Sequence, residues 1–286
     1  MKMALECVPC MVQQAVEAAR YYSDDPAQQW ALVHEVTAAI PDLDPRISMP
    51  EVVGMIYQRI RQRFGDHDFY KEVKDRSNRK ALDLYPMLKQ KVNQAPDPLL
   101  AAVEIAVIGN VIDYAAKNHL DIEAQIEQLF AGELPEINHA VFDYESFRSD
   151  LLAARRILIL GDNTGEIVFD KVLIESLPEG KEVFYAVRGR PILNDATLDD
   201  AEFCGLHEVA AVISSGVMSP GTVLSQCSPE FLDVFQNADL IISKGQGNYE
   251  ALFGTAGPIY FLFKIKCKII ARHAGGALSD MMLVKA

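Results

Sequence analysis

The 286-residue sequence predicts an α/β protein: an open, mostly parallel, doubly wound sheet with an N-terminal all-helical cap. Three observations lead there. Five short apolar runs in the second half each end in small polar or charged residues, and helix-length stretches separate them. The first half instead repeats its apolar residues at helical spacing, broken by proline and glycine. Short apolar runs of this kind read as parallel strands buried on both faces.

From Cys10 to about Phe147 the pattern is helical, with helix ends expected at Pro26, Pro41, Pro45, Pro50, Gly65, Pro86, Pro96 and Pro98. Val12, Val16, Ala19, Leu99, Val103, Ala106 and Ile112 are expected to line an inner face. A charged stretch, Ser146 to Arg156, leads into the first strand, so residues 1–150 read as a helical domain and 151–286 as an α/β domain. That first strand, Ile157 to Leu160, opens into Gly161-Asp162-Asn163-Thr164-Gly165-Glu166, where a helix pattern begins. Val183 to Val187 follows, then Arg188-Gly189-Arg190-Pro191 and Asn194-Asp195-Ala196-Thr197. Ala211 to Ile213 precedes Ser214-Ser215-Gly216, and Leu240 to Ile242 precedes Ser243-Lys244-Gly245-Gln246-Gly247-Asn248. Lys268 to Ala271, before Arg272, is the fifth expected strand.

Composition narrows the partners. A net charge of -13 argues against general affinity for nucleic acid or an anionic membrane. A small anionic substrate then needs a local positive site. Leu99 to Ala116, the most apolar stretch, is interrupted by Glu104, Asn110 and Asp113, which argues against a membrane span. The opening residues carry no apolar core of signal-peptide length. Five scattered cysteines do not make a secreted disulfide framework, and a reducing, cytoplasmic setting is expected.

In open sheets of this kind ligands bind at the carboxyl ends of the strands. Asp162 and Asn163 stand at one such end and Asp195 follows its neighbour, an all-oxygen set that suits a hard divalent cation such as magnesium or manganese. The plainer reading is that Asp162 and Asn163 cap the helix that follows. Lys244-Gly245-Gln246-Gly247-Asn248 offers a cation, two glycines and a helix start, a setting that favours a phosphate, although a structural turn explains the glycines equally well. Lys264, Lys266 and Lys268 flank the expected last strand on one side.

Cys7-Val8-Pro9-Cys10 is a C-x-x-C at a helix start, open to metal, redox or structural use, with Cys267 the further thiol near a functional segment. Cys204 and Cys227 read as buried fillers. The six histidines show no paired ligand spacing, and neither a G-x-S-x-G elbow nor a P-loop is present.

These residues resemble the damage-control phosphatases, also called the acidic-residue methyltransferase-like family or domain of unknown function 89, over nearly the whole chain. The resemblance rests on C-V-P-C at Cys7 to Cys10, D-F-Y-K-E-V-K-D-R-S-N at Asp68 to Asn78 and G-N-V-I-D-Y at Gly109 to Tyr114. It continues in G-D-N-T-G-E at Gly161 to Glu166, N-D-A-T at Asn194 to Thr197 and K-G-Q-G-N-Y-E at Lys244 to Glu250. Phe69 stands where many relatives have proline, and the N-terminal cysteine pair is similar to the prokaryotic stand-alone subgroup. The resemblance implies a metal-dependent phosphatase acting on phosphate monoesters of small, sometimes damaged metabolites such as sugar phosphates and nucleotide-related compounds. It implies Asp162, Asn163 and Asp195 as ligands of a divalent ion, manganese or magnesium first and nickel or cobalt as further candidates. It implies Lys244 to Asn248 as the phosphate-binding segment, Lys266 as a substrate-binding lysine, Glu166 as an acid near the substrate, and Asn110 and Asp113 facing the same cleft. On that reading Asp162, Asn163, Asp195 and Lys244 carry catalysis. Oligomeric state is left open.

Two rival readings stand beside it. Gly161 to Gly165 faintly resembles a nucleotide-binding glycine loop, which would suit an S-adenosylmethionine-dependent carboxyl methyltransferase, but the second strand ends in Arg188 and not in a ribose-gripping acid. The other rival is a non-catalytic protein whose Cys7, Cys10 and Cys267 hold an ion or sense redox state.

Overall fold

Successive side chains along each strand enter two different apolar cores, which is the period-two signature of a sheet covered on both faces. The computed structural model describes residues 1–109 and 141–286. Asn110, Ile112, Asp113, His119, His139 and the remainder of the motif beginning at Gly109 lie outside the described residues. The described helices of the first half are α1 Cys7–Tyr22, α2 Pro26–Ala39, α3 Met49–Phe64, α4 Lys71–Gln94 and α5 Pro98–Gly109, followed by α6 Tyr144–Ala153. Then come β1 Arg156–Leu160, α7 Glu166–Glu175, β2 Glu182–Val187, α8 Leu198–Phe203, β3 Ala211–Ser214 and α9 Pro229–Gln236. The chain finishes with β4 Leu240–Lys244, α10 Gln246–Leu252, β5 Ile259–Lys264, α11 Lys268–Ala274 and β6 Met281–Lys285.

The sheet order is β3-β2-β1-β4-β5-β6, with β1 to β5 parallel and β6 antiparallel to β5. Ile157 and Ile159 of β1 pack with α4, α5 and α7 on one face, while Leu158 and Leu160 pack with α9 and α10 on the other. The open, doubly wound sheet with helices before it is the expected class. The chain winds outward from β1 through β2 to β3 and then crosses to β4 on the other side of β1, so the switch point of the topology lies between the C-terminal ends of β1 and β4.

Prolines open helices here more often than they close them. Pro26, Pro50 and Pro98 occupy first turns, where a missing N–H costs nothing. Ser48 and Glu51 form a capping box at α3, and Gly65 at φ 98° ends it. Pro86, expected as an end, lies inside the 24-residue α4, which runs on because Leu84 and Leu88 on either side of it are fully buried.

The fifth expected strand is corrected. Lys268 to Ala271 begins helix α11, which buries only Ile270 and stops at Gly275 in the left-handed region, a one-sided pattern. The strand beside β4 is Ile259–Lys264, whose aromatics fill both cores, and the antiparallel β6 was not expected at all. The expected boundary near residue 150 marks a change of secondary structure and not of core. Helices α4 and α5 share one apolar core with the sheet, whereas α1, α2 and α3 form their own with Tyr70 and Ile192.

Candidate active site

Two loops are zipped together where β1 and β2 end. The Gly161 N–H donates to the Ala186 carbonyl at 2.9 Å, and Ala196 N donates to the Asp162 carbonyl at 2.9 Å. Thr164 ties to the Asn194 carbonyl through both its N–H and its hydroxyl, and Asn163 pairs with Asp195 in an isolated antiparallel bridge. The backbone thus brings Asp162, Asn163 and Asp195 to one place, each nearly buried. Only glycine fits at 161, because a Cβ would fall 2.7 Å from the Tyr185 ring.

The electrostatics of this cluster are those of acids crowded away from water. Burial first, then the charges of Asp195 and Glu166, push the Asp162 carboxyl up to about 8. Burial also raises Asp195, against the pull of Arg188. Lys266, exposed on the turn after β5, lowers both, so its charge reaches the cluster. A divalent cation would relieve this repulsion, and two carboxylates with one amide are donors it accepts. Asn163 donates Nδ2 to Asp162 Oδ2 at 2.8 Å, which leaves its Oδ1 as the ligand atom. Among the described residues no group of three or more His, Cys, Asp or Glu side chains is placed to hold a metal ion.

The loop after β4 lies against the acidic cluster. Gly245, at φ 78°, passes directly against the Asp162 carboxylate. Gly247 passes against the Pro220 carbonyl, where a Cβ would stand at 2.0 Å. Asn248 is fully buried and spends all its bonds on the fold: Nδ2 donates to the Gly161 and Lys244 carbonyls, and Oδ1 accepts from the N–H and hydroxyl of Thr222. Gln246 accepts the Lys266 N–H at 2.8 Å and so positions the turn carrying that lysine.

Lys244 and Glu166 lie buried and paired beneath the acidic cluster. Expected to face a phosphate, the Lys244 ammonium is wholly buried, and its three donors go to Glu166 Oε1 at 2.5 Å, Asp170 Oδ1 at 2.5 Å and the Ala106 carbonyl at 3.0 Å. Burial works against that charge, but the two carboxylates outweigh it and raise the ammonium's pKa. Glu166 is fully buried and lies between Lys244 and Asn163, with Oε2 at 3.4 Å from the Asn163 N–H.

Three residues singled out for no role at the site shape it. Arg188 donates Nε to Asp195 Oδ2 at 2.6 Å and Nη1 to the Thr222 hydroxyl at 3.3 Å, while Nη2 lies 3.5 Å from Asp162 Oδ1. Asn78 of α4 accepts the Gly165 N–H at 2.8 Å and donates to Asp200 at 3.1 Å. Lys74, buried one turn earlier, pairs with Asp200 at 2.8 Å and Asp68 at 3.0 Å. Arg188 was visible as the residue ending β2, and Lys74 and Asn78 lay inside the Asp68 to Asn78 motif. Nothing in local spacing shows that Asn78 reaches a loop nearly ninety positions away.

All five cysteines are free thiols; burial first, then the neighbouring Glu250, Cys10 and Cys267, raise Cys7, and burial pushes Cys204 and Cys227 up to about 12. Among the described residues, no helix is long and apolar enough to cross a membrane.

Comparison with known proteins agrees with this architecture. The family model of the damage-control phosphatase ARMT1-like domain matches residues 3–282. The uncharacterized protein MJ0202 of Methanocaldococcus jannaschii is 35% identical over 99% of this chain and 95% of its own length. Damage-control phosphatase PH1575 of Pyrococcus horikoshii is 32% identical over 96% of this chain and 94% of its own, and the damage-control phosphatase of Archaeoglobus fulgidus is 30% identical over 99% and 98%. The crystal structure of the Pyrococcus horikoshii protein, described as a duf89 family protein, superposes with a TM-score of 0.86 at 29% identity and covers 100% of this chain and 99% of that one.

Proposed function

Because this chain belongs to the damage-control phosphatase ARMT1-like family and is a phosphatase, we propose that it hydrolyses phosphate monoesters of small metabolites at the Asp162, Asn163 and Asp195 cluster, with a divalent cation held there. One observation carries this reading: the bridge between Asn163 and Asp195 sets two buried carboxylates and an amide together at the switch point of the sheet. The donors are all oxygen, which favours magnesium or manganese over softer ions. When bound, such an ion supplies Lewis-acid polarisation of a phosphoryl oxygen.

The chain's own residues do the rest. Asp162 and Asp195 orient the ligand atoms, and their close approach is held by the zipped loops. Lys266 supplies positive charge for the anionic substrate, and Gln246 fixes its backbone. Lys244, Glu166 and Asn248 are positioning residues, and Gly245 and Gly247 permit the close packing beneath them. Sugar phosphates and nucleotide-related compounds are the substrate class in view, and the free cysteines fit work in a reducing cytoplasm. The methyltransferase reading gains nothing here, since the end of β2 offers Arg188 engaged with Asp195 and no acid for a ribose.

The test is to strip the protein of metal, add manganese or magnesium, and measure both cation binding and phosphate release from a panel of phosphorylated metabolites. Asp162→Asn and Asp195→Asn are expected to lose cation binding and at least a hundredfold in phosphate release while staying folded. Full activity in either variant would remove the site.

A further inference from the structure

Arg188 carries a donor that the fold leaves over. Its side chain is 2% exposed, so it has almost no water to turn to. Two of its nitrogens are committed, Nε to Asp195 and Nη1 to Thr222, which fixes the plane of the guanidinium. Thr222 is itself held, because its N–H and hydroxyl both donate to Asn248 Oδ1. The third nitrogen, Nη2, is buried and makes no hydrogen bond among the described residues. It stands 3.5 Å from Asp162 Oδ1, close enough for attraction and too far for a good hydrogen bond.

Buried donors are almost always paired, and one left open at a functional site calls for a partner. A guanidinium held by two side chains presents its remaining N–H groups in a fixed direction, which suits the oxygens of a phosphoryl group. The location matters as much as the donor. A dianion brought beside Asp162 and Asp195 meets two carboxylates, and Arg188 is the cation already in contact with both. Lys244 cannot serve, since its donors are spent on Glu166, Asp170 and Ala106.

We propose that Arg188 is a substrate-binding residue whose Nη2 donates to a phosphoryl oxygen of the substrate, with Asp195 and Thr222 holding its guanidinium in place. This rests on the acidic cluster being the phosphatase site. The positive element of that site is therefore supplied by the end of β2, in addition to the exposed Lys266.

The experiment uses the full chain and calorimetry with two probes, manganese and inorganic phosphate, on the wild type and Arg188→Lys. The lysine keeps the charge and loses the fork. Phosphate affinity is expected to fall at least tenfold in the variant while manganese affinity stays within threefold, and KM for a phosphomonoester should rise with it. Phosphate affinity left intact overturns the proposal. An equal fall in both affinities also overturns it, because Arg188 would then only organise the two acids. Should the wild type bind no manganese, the metal-site reading fails, which is a separate result. If Arg188→Lys does not fold, wild-type protein labelled with nitrogen-15 arginine decides the matter. Phosphate must shift the buried guanidinium resonances, and their indifference to phosphate overturns the assignment.

Discussion

Gly245 lies so close to Asp162 that a Cβ on it would stand 2.0 Å from the carboxylate Oδ2. Its backbone, at φ 78° and ψ 155°, is in a region that only glycine adopts readily. The end of β4 therefore forms the floor under the acidic cluster. Gly245→Ala is expected to destabilise the protein by about 1–3 kcal/mol from backbone strain alone. It should also displace Asp162 and reduce phosphate release at least a hundredfold. Urea denaturation and a phosphate-release assay check the two effects, and a variant with normal activity would contradict the packing.

Lys244 joins β4 to α7 through Glu166 and Asp170, all three fully buried. Removing the cation leaves two buried acids without their counter-charge. Lys244→Met should cost about 3–5 kcal/mol of stability, the usual penalty for breaking a buried pair from one side. Adding Glu166→Gln and Asp170→Asn to that variant should recover part of the loss, measured by denaturation. No recovery would mean that the lysine acts elsewhere.

Asn78 bridges the helical half to the site loop by accepting the Gly165 N–H at 2.8 Å. Asn78→Ala leaves that buried donor unpaired, at a cost of about 1–3 kcal/mol. Because Gly165 follows the Asp162-Asn163 pair, cation affinity should weaken along with stability. Calorimetry with manganese checks this, and unchanged affinity would confine Asn78 to a purely structural part.

Asp239 sits where the chain enters β1, and its Oδ2 accepts the N–H groups of Arg156 at 2.7 Å and Arg155 at 2.9 Å. Those two bonds, that of Arg156 first, hold its carboxyl below the usual range. A depressed acid stabilises the fold fully above its unfolded value of about 3.9 and loses that contribution as pH falls through the folded one. Asp239→Ala should therefore melt below the wild type at pH 7, with the difference shrinking under acid. Equal melting temperatures at pH 7 would refute it.

The interleaving of apolar runs with helix-length spacers was enough to show the class of fold, because parallel strands buried on two faces leave an unbroken apolar signature. Asp162 and Asn163 were legible for a related reason, since they follow the end of β1, whereas Asp195 stands well past the end of β2 and is brought beside them by its bridge to Asn163. Local reading failed where one segment suited two structures. Lys268 to Ala271 is as apolar as a strand, and only burial on one side shows it to be helix.

The sequence by itself determined the α/β class and the place of Asp162 and Asn163 at the carboxyl end of β1, which depend on residue type and short spacing. Tertiary structure alone decided what each charge does. Lys244 turns inward to two acids, Arg188 turns toward the cluster, and Asn78 reaches it from another helix. The physical reason is that the role of a buried charge is set by the partners that compensate it, and those partners come from parts of the chain far apart in sequence.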